Sequence, residues 1–76
     1  MPNERPTPYA ELADVLDNLP LLVRETRRSR RLSQRAAAAD IGCAFSTISR
    51  VENAEDCVLS NAIAMLRWMD GGTRDE

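Results

Sequence analysis

The chain of 76 residues contains no histidine and no lysine, and it has only two cysteines, three glycines and three aromatic residues. Without histidine, and with Cys43 and Cys57 outside any CxxC spacing, the sequence lacks the ligand pattern of a zinc site. No group of titratable side chains resembles a catalytic arrangement. We therefore predict a protein that is not an enzyme and that needs no metal and no cofactor.

Long apolar runs are also missing. No stretch approaches the ~20 apolar residues of a membrane span, and none resembles a signal peptide. A disulfide between Cys43 and Cys57 is one interpretation of the cysteines, and two small buried hydrophobic side chains in a reducing compartment is the other. The lack of a signal-like segment favours the second, and with it a cytoplasmic protein without membrane contact.

The net charge of −2 hides an uneven distribution. Residues 1–20 carry four acids and one arginine (−3), residues 21–53 carry seven arginines and three acids (+4), and residues 54–76 carry five acids and two arginines (−3). A basic block between acidic flanks is compatible with binding a polyanion, because the distribution of charge decides where such a ligand can lie. An ordinary solvated helix face explains the same pattern.

Hydrophobic spacing predicts an all-α fold, a compact bundle of about five short helices. Residues 1–6 are expected to be a disordered arm, 7–72 the domain and 73–76 a frayed end. The first helix, 8–19, has Thr7 as its N-cap and is ended by Pro20. Its apolar face either caps the small core or docks another protein.

Four further helices follow. The second is predicted from residue 20 or 21 to about 30, the third over 34–41 with Ser33 as N-cap, and the fourth from 44 or 45 to 51 or 52. Ser60 is expected to cap the fifth, with its apolar stripe at Ile63, Leu66 and Trp68 or Met69. The last two of these residues, with the first helix, are the expected places for self-association.

The stretch "SQRAAAADIG" indicates a close contact between helices. Alanine is the best helix former but offers little side chain to pack, so Ala38 marks a place where two backbones approach. Gly42, four residues later, permits the positive φ of a tight corner. We therefore expect the third and fourth helices to cross closely there.

The stretch "LSQRAAAADIGCAFSTISRVEN" resembles the helix-turn-helix of the phage-repressor and Cro family, often called XRE-like. The features that match are "LSQ", the small Ala38, Gly42, the apolar Ile48 and Val51, and the closing "VEN". The resemblance implies a lambda-repressor-like DNA-binding fold whose motif spans 34–53. It also implies a structural ion pair between Arg27 and Glu52, although two separately solvated charges would satisfy the same sequence.

The resemblance further implies that the fourth helix enters the major groove of double-stranded DNA. Its base-reading face would comprise Phe45, Ser46, Ser49 and Arg50, although Phe45 could instead fold back into the core. Phosphate contacts are expected from Gln34, Arg35 and Asn53.

Departures from the family pattern give three further expectations. Ala44 stands where a capping serine or threonine is common, so Ser46 could cap the fourth helix and shift its start. Ala54 replaces a glycine, so Asn53 could adopt the left-handed conformation itself. The acidic Glu55 and Asp56 make a phosphate contact by the following loop doubtful.

Two functions remain. The first is a sequence-specific transcription regulator, a repressor or Cro-like protein of phage or bacterial origin that binds the nucleoid as a homodimer. The second is a protein-interaction module on the same fold, such as an antitoxin, an antirepressor or a phage factor that binds a host protein through the N-terminal helix.

Overall fold

The computed structural model describes residues 7–71, and these form five helices and no strand. The helices are α1 (Pro8–Asp17), α2 (Leu19–Ser29), α3 (Gln34–Ile41), α4 (Phe45–Glu52) and α5 (Leu59–Met69). The all-α prediction is confirmed at this level. The expected arm, 1–6, and the expected frayed end, 73–76, lie outside the described residues. None of the five helices is long and apolar enough to cross a membrane.

The boundary between α1 and α2 differs from the prediction. Thr7 caps α1 as expected, since its side-chain oxygen accepts a hydrogen bond from the Ala10 N–H at 3.0 Å. However, α1 ends at Asp17, and α2 begins at Leu19 with Pro20 in its first turn. Proline fits the first turn because its missing N–H would have no partner there. Pro20 therefore starts a helix instead of ending one.

The signals that bound α3 act as predicted. The Ser33 hydroxyl accepts a hydrogen bond from the Ala36 N–H at 3.0 Å, and Gly42 ends the helix with a left-handed φ of 95°. The Gly42 N–H donates to the Ala38 carbonyl at 2.8 Å. Ala38 itself is buried where α3 packs against α4.

The core lies between α2, α3, α4 and α5. Its four fully buried large side chains are Val23, Ile48, Val51 and Met65. The core is completed by six further buried residues from α2, α3 and α5: Leu19, Ala37, Ala38, Ile41, Ala62 and Trp68. α4 packs against both α2 and α3, and α5 packs against the same two helices. No residue of α1 is buried, so the expectation that α1 caps the core is wrong.

α5 is rotated relative to the predicted stripe. It begins at Leu59 after Val58, so Ser60 lies in the first turn and is not the N-cap. The buried residues are Ala62, Met65 and Trp68. Of the other residues in the predicted stripe, Leu66 and Met69 are partly buried against the core, and Ile63 is 40% exposed. The Trp68 indole fixes this rotation, because its N–H donates to the Asp40 carboxylate at 2.7 Å. Trp68 is therefore a core residue, and the expectation that it mediates self-association is wrong.

Candidate nucleic-acid interface

α4 has one buried face and one exposed face. Ile48, Val51 and Glu52 are buried against the rest of the molecule. The four residues expected to read bases have the following exposure: Phe45, Ser46 and Arg50 are exposed, and Ser49 is half-buried. Because Ile48 and Val51 fill the inward positions, α4 presents an aromatic ring, hydroxyls and a guanidinium to solvent, without an acidic side chain among them.

The start of α4 is set by Ala44, which is the N-cap residue without a side-chain hydrogen bond. Ser46 therefore does not cap the helix, and α4 starts at Phe45. With that start Phe45 is 39% exposed and does not fold into the core. Of the two positions considered for the Phe45 side chain, the surface and the core, the structure has the surface.

Arg35 covers the outer face of Phe45. Its guanidinium carbon lies 4.4 Å from the centre of the ring, which is within the range of a cation–π contact. Arg35 is in the first turn of α3 and Phe45 begins α4, so this contact joins the starts of the two helices on the exposed surface. It also restricts a long side chain that would otherwise move freely in solvent.

Glu52 is a buried carboxylate that ties three helices together. Arg27 of α2 donates to both of its oxygens, from Nε at 2.7 Å and from Nη2 at 2.9 Å. Arg24 Nη2 donates to the Glu52 backbone carbonyl at 2.6 Å. The Gln34 amide at the start of α3 donates to the Glu52 side chain at 3.0 Å. The ion pair that the resemblance implies is thus present in the structure.

The environment of Glu52 shifts two pKa values. Burial acts to raise the pKa of the carboxyl, but hydrogen bonds from Arg27 and Gln34, with the charges of Arg27 and Arg24, outweigh it and lower the pKa. The same hydrogen bond raises the pKa of the Arg27 guanidinium. Glu52 is therefore ionised at neutral pH and holds α2, α3 and α4 as one unit.

The Gln34 amide makes a structural hydrogen bond and can still make a second one. It is half-buried at the first position of α3, and one amide N–H is directed to Glu52. A primary amide has a second N–H, so a phosphate contact is compatible with this bond. The bond to Glu52 escaped the sequence-based interpretation, which assigned Gln34 to phosphate alone.

The arginines of the basic block divide into two groups. Arg24 and Arg27 bind Glu52, and Arg30 donates to the Trp68 carbonyl at 3.1 Å while its guanidinium lies over the Trp68 ring. The second group is exposed and makes no ion pair with a described residue: Arg28, Arg31, Arg35 and Arg50. Fewer than the seven arginines of the block are therefore available to a polyanion.

The contacts that sequence reasoning missed are all long-range. Arg24 lies three residues before Arg27 on the same face of α2, and this spacing is the one local signal that could have associated it with Glu52. Asp40 and Arg30 meet Trp68 across 28 and 38 residues of sequence, and no local pattern indicates either contact.

The corner after α4 differs from the expectation. Asn53 has a φ of −94°, and it is Ala54 that takes the left-handed conformation, with a φ of 65°. The prediction that Asn53 adopts this conformation is wrong. The Ala54 N–H donates to the Val51 carbonyl and the Glu55 N–H to the Arg50 carbonyl, so the closing turn itself places Ala54 there. Asn53, Glu55 and Asp56 are exposed.

Cys43 and Cys57 are free, half-buried and packed against the core. Burial raises the pKa of both thiols; a second contribution to Cys43 comes from Cys57, and to Cys57 from Asp56. Within residues 7–71 no three cysteine or acidic side chains form a group that could hold a metal ion.

The chain matches none of the family models, curated proteins or solved structures with which it was compared. The likeness to the phage-repressor and Cro family therefore rests on the residues of the 23–53 segment themselves.

Proposed function

We propose that this chain is a small sequence-specific DNA-binding transcription regulator with a lambda-repressor-like fold. In this proposal α3 and α4, joined by Gly42, Cys43 and Ala44, form a helix-turn-helix. α4 enters the major groove with its N-terminal residues toward the base edges, and α3 lies across the phosphate backbone.

The observation that carries the proposal is the division of α4 into two faces. Its single acid, Glu52, is buried against Arg27, while Ser46 and Arg50 are exposed together with Phe45. Arg50 can donate two hydrogen bonds to guanine O6 and N7, worth about 1–3 kcal/mol of discrimination between bases. Ser46 and Ser49 can donate to bases or phosphates, and Phe45 can contact a thymine methyl group.

Phosphate binding is assigned to the start of α3 and the end of α4. Gln34 lies at the dipole-positive end of α3, and Arg35 is exposed one residue further on. Asn53, at the end of α4, is exposed as a third contact. Four exposed arginines of the basic block, Arg28, Arg31, Arg35 and Arg50, form neither an ion pair nor a side-chain hydrogen bond with a described residue. Binding should therefore weaken with salt as counterions are released, with a log–log slope no steeper than about −4 per protomer.

A homodimer on a near-palindromic site fits this proposal, since one reading helix covers too few base pairs for high affinity. Footprints are then expected as two half-sites about 34 Å apart, one turn of the duplex.

The experiment begins with selection of duplexes from a random library and measurement of affinity by fluorescence anisotropy at 50–200 mM salt. Arg50→Ala is expected to lose specific binding. Arg50→Lys keeps the charge but not the bidentate geometry, so it should retain binding to unrelated duplexes and lose discrimination. Arg67→Ala, which removes the same charge from an exposed position on α5, is the matched control and should bind as the unaltered protein does.

Two results would contradict the proposal. One is the absence of binding to every duplex at low salt. The other is an equal effect of Arg50→Ala and Arg67→Ala, because it would reduce the role of Arg50 to overall charge.

A further inference from the structure

α1 exposes its whole apolar face. Tyr9 is 82% exposed, Leu12 54% and Leu16 41%, and no residue of the helix is buried. These three side chains follow the i, i+3, i+7 spacing of one helical face. α1 packs against α2 but contributes nothing to the core. An ordered amphipathic helix with its apolar face in solvent is typical of an interaction surface.

The charged side of α1 has one sign. Glu11 and Asp14 lie opposite the apolar face, Asp17 lies at its flank, and the helix contains no basic residue. None of the three carboxylates forms an ion pair with a described residue.

A groove continues the apolar face beyond Leu16. Its volume is about 340 Å³. The buried apolar residues of its lining include Leu19, Val51 and Ala62. The exposed acids of its lining are Asp17, Glu55 and Asp56. We call this feature the acidic groove. It extends the surface from a single helix to a concave site bounded by α1, α2 and the segment between α4 and α5.

We propose that the apolar face of α1 and the acidic groove together dock a helical segment of another protein, one whose apolar stripe is flanked by lysine or arginine. The apolar stripe of the partner would cover Tyr9, Leu12 and Leu16, and its cations would lie beside the acids at the edge of the groove. The proposal does not depend on DNA binding.

Charge disfavours a second copy of the chain as the occupant. Each copy presents three carboxylates at the edge of the acidic groove: Asp17, Glu55 and Asp56. A symmetric pair that buried this surface would bring the two sets of carboxylates toward each other, and like charges facing each other across an interface repel. Duplex DNA is repelled for the same reason. A cationic partner is attracted.

A synthetic helical peptide of 18 residues, with leucine on one face and lysine on its flanks, is the probe. The control is the same peptide with glutamate in place of lysine. Calorimetric titration into the full chain should give saturable binding of the lysine peptide, weakening as salt rises, and no binding of the glutamate peptide.

The double variant Leu12→Gln/Leu16→Gln should bind the lysine peptide at least about tenfold more weakly, because two apolar contacts are removed without a change in charge. Leu59→Gln, at a 70% exposed leucine of α5, is the matched control and should bind as the unaltered chain does. Urea unfolding followed by Trp68 fluorescence checks that each variant is folded.

The proposal is overturned if the Leu12→Gln/Leu16→Gln variant binds the lysine peptide unchanged, or if the glutamate peptide binds equally well. It is also overturned if sedimentation shows a dimer that this variant abolishes, since the surface would then belong to a second copy. Loss of DNA binding in the Arg50 variants leaves all these outcomes unaffected.

Discussion

α4 and α1 are two short amphipathic helices that differ in burial. α4, with eight residues, buries Ile48, Val51 and Glu52, whereas α1, with ten, buries none. The difference lies in the neighbours. Glu52 anchors α4 through partners on α2 and α3, while α1 has a cap of its own at Thr7, packs against α2 and adds no residue to the buried core. An apolar stripe alone does not place a helix in the core.

The sharpest test of this contrast removes the anchor of α4. Arg27→Met should lower the free energy of unfolding by about 3–5 kcal/mol, because it leaves the Glu52 carboxylate buried with its main partner gone. Urea titration followed by circular dichroism measures it. The double variant Arg27→Met/Glu52→Met should recover part of the loss, since no buried charge then remains. A loss below about 1 kcal/mol for Arg27→Met would show that Glu52 does not anchor α4.

Acid should weaken the same anchor. The folded pKa of Glu52 lies below the ordinary glutamate value, near 4.5, because the Arg27 and Gln34 hydrogen bonds outweigh the effect of burial. Its stabilising contribution is therefore complete above that ordinary value and is lost as the pH falls through the folded pKa. Unfolding measured from pH 7 to pH 2 should show this loss, and it should be absent from Arg27→Met/Glu52→Met. An identical acid limb in both proteins would assign the loss to other carboxylates.

The α3–α4 crossing is the next element to test. Ala38 is 3% exposed where the two helices pack, so Ala38→Leu should cost about 1–3 kcal/mol by forcing them apart. Ala36→Leu, at an exposed position of the same helix, is the control. Thermal unfolding compares the two variants, and equal midpoints would mean that the crossing has room for a larger side chain.

A smaller effect of the opposite sign is expected after α4. Ala54 has a φ of 65°, a conformation that costs a non-glycine residue about 1–2 kcal/mol. Ala54→Gly should therefore raise the free energy of unfolding by up to about 1 kcal/mol, after the greater entropy of glycine in the unfolded chain is subtracted. Chemical unfolding measures it. A destabilised variant would contradict the left-handed turn at this position.

The smallest effect is predicted for α1. Leu12→Gln should change the free energy of unfolding by less than about 0.5 kcal/mol, because the side chain is already 54% exposed and does not belong to the buried core. A loss above about 1.5 kcal/mol, measured by the same urea titration, would show that α1 supports the core after all.

The features that could be predicted from the sequence are those set by interactions between residues close together in the chain. Ser33 and Gly42 act within one turn of α3, so its bounds could be read directly. The rotation of α5 depends on Asp40 meeting Trp68 across 28 residues, which no local pattern encodes. The family resemblance supplied Arg27 with Glu52, a pair that spacing alone does not single out.

The candidate interface shows the same limit. The exposure of Ser46 and Arg50 follows from the inward positions of Ile48 and Val51, and could be predicted from periodicity. The contact of Arg35 with Phe45 could not, because it joins two helices through the geometry of the turn between them.

The central claim, that the exposed edge formed by α3 and α4 binds duplex DNA, is tested most directly by NMR. Backbone amide shifts of the labelled chain are recorded while a selected duplex is added. The largest changes are expected at Gln34 and Arg35 and along residues 45–50, with little change in α1. Changes concentrated in α1 or α5, or no change at low salt, would contradict it.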